Sequence, residues 1–114
     1  MRKVRDTSKY KNRRTLVDGI YFDSKKEAEH YLILKSLEKN GMIKDLELQK
    51  EFELIPKYHN GEKNIRKTVY RADFVYKNNR DELIVVDVKG YRTEIYKLKK
   101  KLFEYNYKMR ITEL

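Results

Sequence analysis

Apolar and polar positions change their period several times along this chain, and each change marks an element. The clearest is Leu83-Ile84-Val85-Val86-Asp87-Val88-Lys89-Gly90, whose apolar, mostly β-branched start predicts a strand covered on both faces, with Gly90 as a flexible exit. Upstream, Thr15-Leu16-Val17 and Ile20-Tyr21-Phe22 flank Asp18-Gly19, a strong hairpin signal. Ser24 then caps a helix in which Ala28, Tyr31, Leu32, Leu34 and Leu37 supply apolar faces, ended by Asn40-Gly41. Alternation at Leu46 and Leu48, then Phe52 and Leu54, predicts a strand that is bulged near Gln49 and closed by Pro56. Lys57 to Asn64 reads as a turn. A third strand runs from about Arg66 to Lys77, and Asn78 to Glu82 turn into the strand described first. Beyond Gly90, Thr93 caps a second helix with Ile95, Leu98, Leu102 and Phe103 at helical spacing and Lys97, Lys100 and Lys101 on the opposite face. Met109 to Leu114 reads as a short terminal strand. The expected order is hairpin, helix, three strands, helix, strand: one domain over residues 15–114, preceded by an arm of residues 1–14.

Composition changes this picture mainly through charge. The net charge of +10 lies at the two ends: residues 1–15 hold seven basic and one acidic residue, residues 89–110 eight and two, while residues 16–88 are nearly balanced at 13 and 14. A basic arm (Arg2, Lys3, Arg5, Lys9, Lys11, Arg13, Arg14) and a basic helix (Lys97, Lys100, Lys101) around a near-neutral middle are the footprint expected of phosphate-backbone binding. A merely solubilising surface is the plainer account of the same charge. Zero cysteines exclude disulfides and thiolate-bound zinc. No apolar run reaches transmembrane length and no apolar segment follows the basic start, so no membrane association and a cytoplasmic location are expected.

The candidate chemistry lies at the strand ends. With a side-chain period of two, Asp87 and Lys89 share one face. If the loop spans Asn78 to Glu82, Lys77 pairs with Leu83, Val75 with Val85, and Asp73 comes opposite Asp87. Two facing carboxylates destabilise a sheet unless something positive sits between them, and oxygen ligands suit Mg²⁺ or Mn²⁺. Asp73, Asp87 and the carbonyl of Val88 are the candidate ligands. Lys89 would orient or help deprotonate the attacking water and offset the phosphate charge, which points to phosphodiester hydrolysis. The alternative is a purely structural triad in which Lys89 neutralises the two aspartates. Glu27 fits a capping box with Ser24. His30 reads as a helix boundary residue, His59 as a loop residue, and Gln49 as a strand residue at a bulge.

The helix with Glu27, the strands carrying Asp73 and Asp87-x-Lys89, and the helix and strand that follow resemble the PD-(D/E)XK nuclease superfamily. More closely, Val17-Asp18-Gly19-Ile20, Phe22-Asp23-Ser24-Lys25-Lys26-Glu27-Ala28, Ala72-Asp73-Phe74-Val75-Tyr76 and Val86-Asp87-Val88-Lys89-Gly90 look like a family of small phage and prophage proteins labelled a domain of unknown function. The resemblance implies a restriction-endonuclease-like αβββαβ core, a mixed central α/β sheet flanked by helices, with the N-terminal hairpin as an addition. It also implies catalytic roles for Glu27, Asp73, Asp87 and Lys89. Two departures are Ala72 in place of a proline before Asp73, and Asp87 where Glu is commoner.

Size bears on the substrate. A domain this small has little surface for sequence readout once its core is built, so structure-selective cutting is expected. By likeness to Holliday junction resolvases the expectation is a phage-type, dimeric endonuclease acting on branched DNA in a bacterial host cell, with no small-molecule cofactor. A sequence- or mismatch-specific nicking enzyme is one alternative, and a non-catalytic nucleic-acid binding module is another. An RNA-binding protein would display stacking aromatics, but most of the ten tyrosines fall within expected helices and strands.

Overall fold

The computed structural model describes residues 14–88 and 91–114, in two units that divide after Met42. In the first, β1 (Thr15–Val17) and β2 (Ile20–Phe22) pair antiparallel, Val17 against Ile20. Asp18 and Gly19 between them both take positive φ, 54° and 76°, as the tight turn that suits a twisted hairpin requires. Helix α1 (Lys25–Lys39) starts where the Ser24 hydroxyl accepts the Glu27 N–H at 3.1 Å. It ends in paired bonds from Met42 N–H to the Leu37 carbonyl and from Gly41 N–H to the Glu38 carbonyl, with Gly41 left-handed at φ 77°. Phe22 packs on Tyr31 with ring centroids 4.9 Å apart, and the Tyr31 hydroxyl donates to Asp18. Ala28, Tyr31 and Leu34 are buried, whereas Leu32, expected on an apolar face, is half exposed. The buried stripe of Glu27, Tyr31 and Leu34 has Ala28 at its edge, and Leu32, one residue on from Tyr31 and so about 100° round the helix from it, falls beyond that edge.

The second unit contains β3 (Lys44–Ile55), β4 (Tyr58–His59), β5 (Asn64–Ile65), β6 (Thr68–Lys77), β7 (Leu83–Asp87), α2 (Glu94–Tyr107) and β8 (Thr112–Glu113). Four strands form a mixed sheet in the order β3-β6-β7-β8, antiparallel except for the β7–β8 pair. The chain is thus an α/β protein with a helix, three long strands, a helix and a strand following an N-terminal hairpin. The expected register holds: Lys77 pairs with Leu83 and Val75 with Val85. The Asn78 side chain fixes it by accepting the N–H groups of Arg80 and Glu82, each at 2.9 Å.

Helix α2, capped by Thr93 on the Tyr96 N–H, packs over the sheet. Phe103 is fully buried against Phe52 and Tyr70, at centroid separations of 5.1 and 5.5 Å, within a core that includes Leu54, Ala72, Val75, Val85, Tyr96 and Ile111. The helix is rotated from the expected orientation: Ile95 and Leu98 are 68% and 55% exposed, while Tyr96 turns inward. Two apolar stripes compete on this helix, and the one carrying rings buries the greater area. The stretch expected as a plain turn, Lys57 to Asn64, instead builds a second small hairpin, β4 with β5. No helix among the described residues is long and apolar enough to cross a membrane.

Candidate functional site

In β6 burial alternates only over Tyr70, Arg71 and Ala72, then runs unbroken from Ala72 to Val75. Tyr70, Ala72 and Val75 all belong to one core cluster, which strict alternation would not allow, so the alternation slips around Asp73. Across the ladder, Gln49 on β3 takes a left-handed φ of 54°, but the pairing keeps one register from Glu47–Val75 to Glu53–Val69, so the bulge expected near Gln49 is not there and the register shifts fall between Lys44 and Glu47 and between Glu53 and Ile55. The slip in alternation accommodates a buried acid. Asp73 is 6% exposed, and its Oδ2 accepts the Val88 N–H at 2.7 Å while its Oδ1 accepts the Gln49 amide at 3.4 Å.

Asp87 ends β7 one step beyond Phe74–Val86, the last pair of the β6–β7 ladder, and the Val88 N–H bond to Asp73 brings the two acids to the same place. It has no exposed surface, and its Oδ2 accepts the Tyr70 hydroxyl at 2.7 Å. Burial, and then this bond to a carboxylate, push the Tyr70 hydroxyl far above the usual tyrosine range. The Asp73 carboxylate is therefore tied to the main chain immediately after Asp87, and both acids lie where β6 and β7 meet. Asp87, but not Asp73, helps wall a depression of about 360 Å³ together with Tyr70, Tyr91, Tyr96 and two cations, Arg71 and Lys99.

A third acid extends the row, since Glu113 pairs with Asp87 across the parallel β7–β8 ladder. Its surroundings differ. Glu113 accepts the Tyr96 hydroxyl at 2.7 Å and meets Lys100 and Arg92, each at 3.1 Å; the Tyr96 bond first, then Lys100, hold its carboxyl below the usual range. Lys100, expected among the phosphate-facing lysines, is thus spent on an internal ion pair. Lys97 pairs with Glu94 on the exposed helix surface, where such a bond is weak, and Lys101 is exposed.

Of the remaining candidates, Glu27 is buried on α1 in the first unit, its N–H on the Ser24 cap. Arg14 is exposed and stacks its guanidinium over Tyr21 at 4.9 Å. Lys89 and the arm residues Arg2, Lys3, Arg5, Lys9, Lys11 and Arg13 lie outside the described residues. His30 sits half buried on α1, where burial lowers its pKa. No three His, Cys, Asp or Glu side chains gather as a metal-ligand group among the described residues. Sequence reasoning missed Tyr70, Arg71 and Lys99. Tyr70 precedes the slip in alternation, and nothing in the apolar pattern signals which face it takes.

The fold and the site define a mixed α/β protein with one acid buried in the middle of β6 and another at the end of the adjacent β7. Residues 7–113 match the family described as "Protein of unknown function (DUF1064)", and the chain belongs to it. No curated protein and no solved structure matches the chain.

Proposed function

We propose that this protein is a divalent-metal-dependent endonuclease of the PD-(D/E)XK type that hydrolyses DNA phosphodiester bonds and selects branched DNA such as a four-way junction. The observation that carries the reading is the juxtaposition of Asp73 and Asp87: two acids buried where two central strands meet, beside a depression lined by Arg71 and Lys99. Burying carboxylates is expensive, and proteins tolerate it most often where the acids have work to do. The donor set is all oxygen, which fits Mg²⁺ or Mn²⁺ held by Asp73, Asp87 and the main chain at Val88. When bound, such an ion supplies Lewis-acid stabilisation of the charge that builds on the attacked phosphate.

The chain's own residues have separate tasks. Val88 N–H and Gln49 hold the Asp73 carboxylate in orientation, and the Tyr70 hydroxyl holds one oxygen of Asp87. Lys99 draws the phosphate into the depression, and Arg71 joins it by exchanging its exposed ion pair with Glu51 for the phosphate. Lys89, two residues beyond Asp87, takes a proton from the attacking water, and Glu27 enters by the superfamily resemblance alone. A homodimer would cut two opposed strands of a junction.

The test is cleavage of a labelled four-way junction beside matched duplex, flap and single-stranded DNA in Mg²⁺ and Mn²⁺, with Asp87→Ala as control. Paired nicks near the branch point, absent in the variant, are expected. Cleavage only of linear duplex would discard the junction and keep the nuclease. Tight binding with no cleavage of any substrate would leave a non-catalytic DNA-binding module.

A further inference from the structure

Between β3 and β6 the chain leaves the main sheet and builds a finger of its own. β4 and β5 pair only with each other, Tyr58 against Ile65 and His59 against Asn64, and every residue from Ile55 to Lys67 is exposed except Ile65, which is half buried. A hairpin this short is marginal without support. Here its tip is pinned: Asn60 Oδ1 accepts the N–H groups of Glu62 and Lys63 at 2.8 and 3.0 Å, Asn60 N–H donates to the Lys63 carbonyl, and Gly61 takes φ 102°. The His59 ring meets the Asn64 side chain at 3.2 Å. The finger has a defined shape but almost no core.

Its charge is lopsided. Lys57, Lys63, Arg66 and Lys67 stand against one acid, Glu62, and continuing the β4–β5 register sets Lys57 across from Arg66. Elsewhere in this unit Lys44, Lys50, Arg71, Lys97 and Lys100 each meet a carboxylate. Among the described residues, no salt bridge reaches Lys57, Lys63 or Arg66. Clustered, uncompensated cations on a thin projection repel one another and favour a polyanion as partner. An open depression of about 370 Å³ at the finger is lined by Lys57, Tyr58, His59, Asn64, Ile65 and Arg66.

We propose that the β4–β5 finger is a DNA-contacting element that enters the major groove as a two-stranded ribbon, with Lys57, Lys63 and Arg66 against the flanking phosphates. The major groove of B-form DNA admits a two-stranded ribbon of this kind, whereas that of an A-form RNA duplex is too narrow. The inference rests on the DNA-binding part of the proposed function and is independent of catalysis. It gives the protein a grip at the Ile55/Thr68 end of the sheet.

The test uses the full chain without divalent ions, so that binding is read apart from cleavage, by fluorescence anisotropy on duplex and four-way-junction DNA over a series of salt concentrations. A triple variant, Lys57→Gln with Lys63→Gln and Arg66→Gln, is compared with Lys44→Gln, Lys77→Gln and Arg80→Gln, which removes equal charge from the opposite end of the same sheet. The finger variant should show a log–log salt slope shallower by about 2.7 and bind at least ~10-fold more weakly near 0.1 M salt, at roughly 0.9 in slope per phosphate contact. Single substitutions should each remove about 0.9 from the slope, and their melting temperatures should match that of the parent. Equal losses in the two triple variants would reduce the finger to general charge and overturn the proposal, as would unchanged binding. An equal loss on an RNA duplex would overturn groove entry. If the parent protein binds no DNA at all, the proposed function itself fails.

Discussion

Replacing Tyr70 by Phe removes one oxygen from the middle of the core, and its consequences can be worked out in advance. The hydroxyl donates at 2.7 Å to Asp87, itself fully buried, so the substitution removes a donor from a carboxylate without changing the ring packed on Phe103. A hydrogen bond to a charged group contributes about 1.5–3 kcal/mol, and that loss is expected near neutral pH in urea denaturation. The pH dependence provides a second, sharper readout. Tyr70 has its pKa raised in the folded protein by burial and by Asp87, so in the alkaline range the unfolded chain gives up this proton near the ordinary tyrosine value of 10.0 while the folded chain keeps it. The unfolded state then holds fewer protons, and stability falls as pH rises above that value by about 1.4 kcal/mol per pH unit for this one group. Below it, both states hold the proton and the group adds no slope. Tyr96, raised chiefly by burial and then by its bond to Glu113, acts in the same direction. Urea midpoints of parent and Tyr70→Phe between pH 7 and 11 should therefore converge above pH 10, the parent falling more steeply and the variant, without this hydroxyl, showing the shallower slope. Parallel curves across that range would refute the placement of the hydroxyl on Asp87.

Two further outcomes follow from the second unit. Phe103→Ala deletes a ring with no exposed surface that touches Phe52, Tyr70 and Tyr107, and should cost about 3–5 kcal/mol of unfolding free energy; a loss below about 1 kcal/mol would mean that α2 does not cover the sheet in solution. Glu113→Gln should flatten the acid limb of the stability profile. The Glu113 carboxyl is held low by Tyr96 and Lys100, so the unfolded chain takes up this proton first as pH falls below 4.5, and the parent loses stability there that the variant never had.

What could be read from the chain and what could not differ in physical kind. The Asp18-Gly19 turn, the Ser24 and Thr93 caps and the five-residue loop at Asn78 are local chemistry, complete within a few residues, and each stands where expected. From that loop alone the β6–β7 register followed, as far as the Phe74–Val86 pair that ends the ladder one step short of Asp73 and Asp87. The orientation of α2 depended instead on a competition between two apolar stripes that only the sheet beneath decides. The finger was hidden because Lys57 to Lys67 has the composition of a loop, and two-residue strands leave no periodicity to detect.

Asp73 in the middle of β6, Asp87 at the end of β7 and Glu113 in β8 lie on three neighbouring strands, and each is held in a different way. Glu113 has its charge taken up by Arg92 and Lys100, with Tyr96 as a third donor; that is how a protein fastens a terminal strand. Val88 N–H and the Gln49 amide donate to Asp73, and the Tyr70 hydroxyl donates to Asp87, so donors from neighbouring strands fix where both carboxylates point. Gripping a cation needs carboxylates oriented in this way, which supports the proposed metal-binding role. The slip in alternation at Asp73, with Gln49 left-handed across from it, points the same way, because it spends regular strand geometry to bury an acid that an apolar residue could replace.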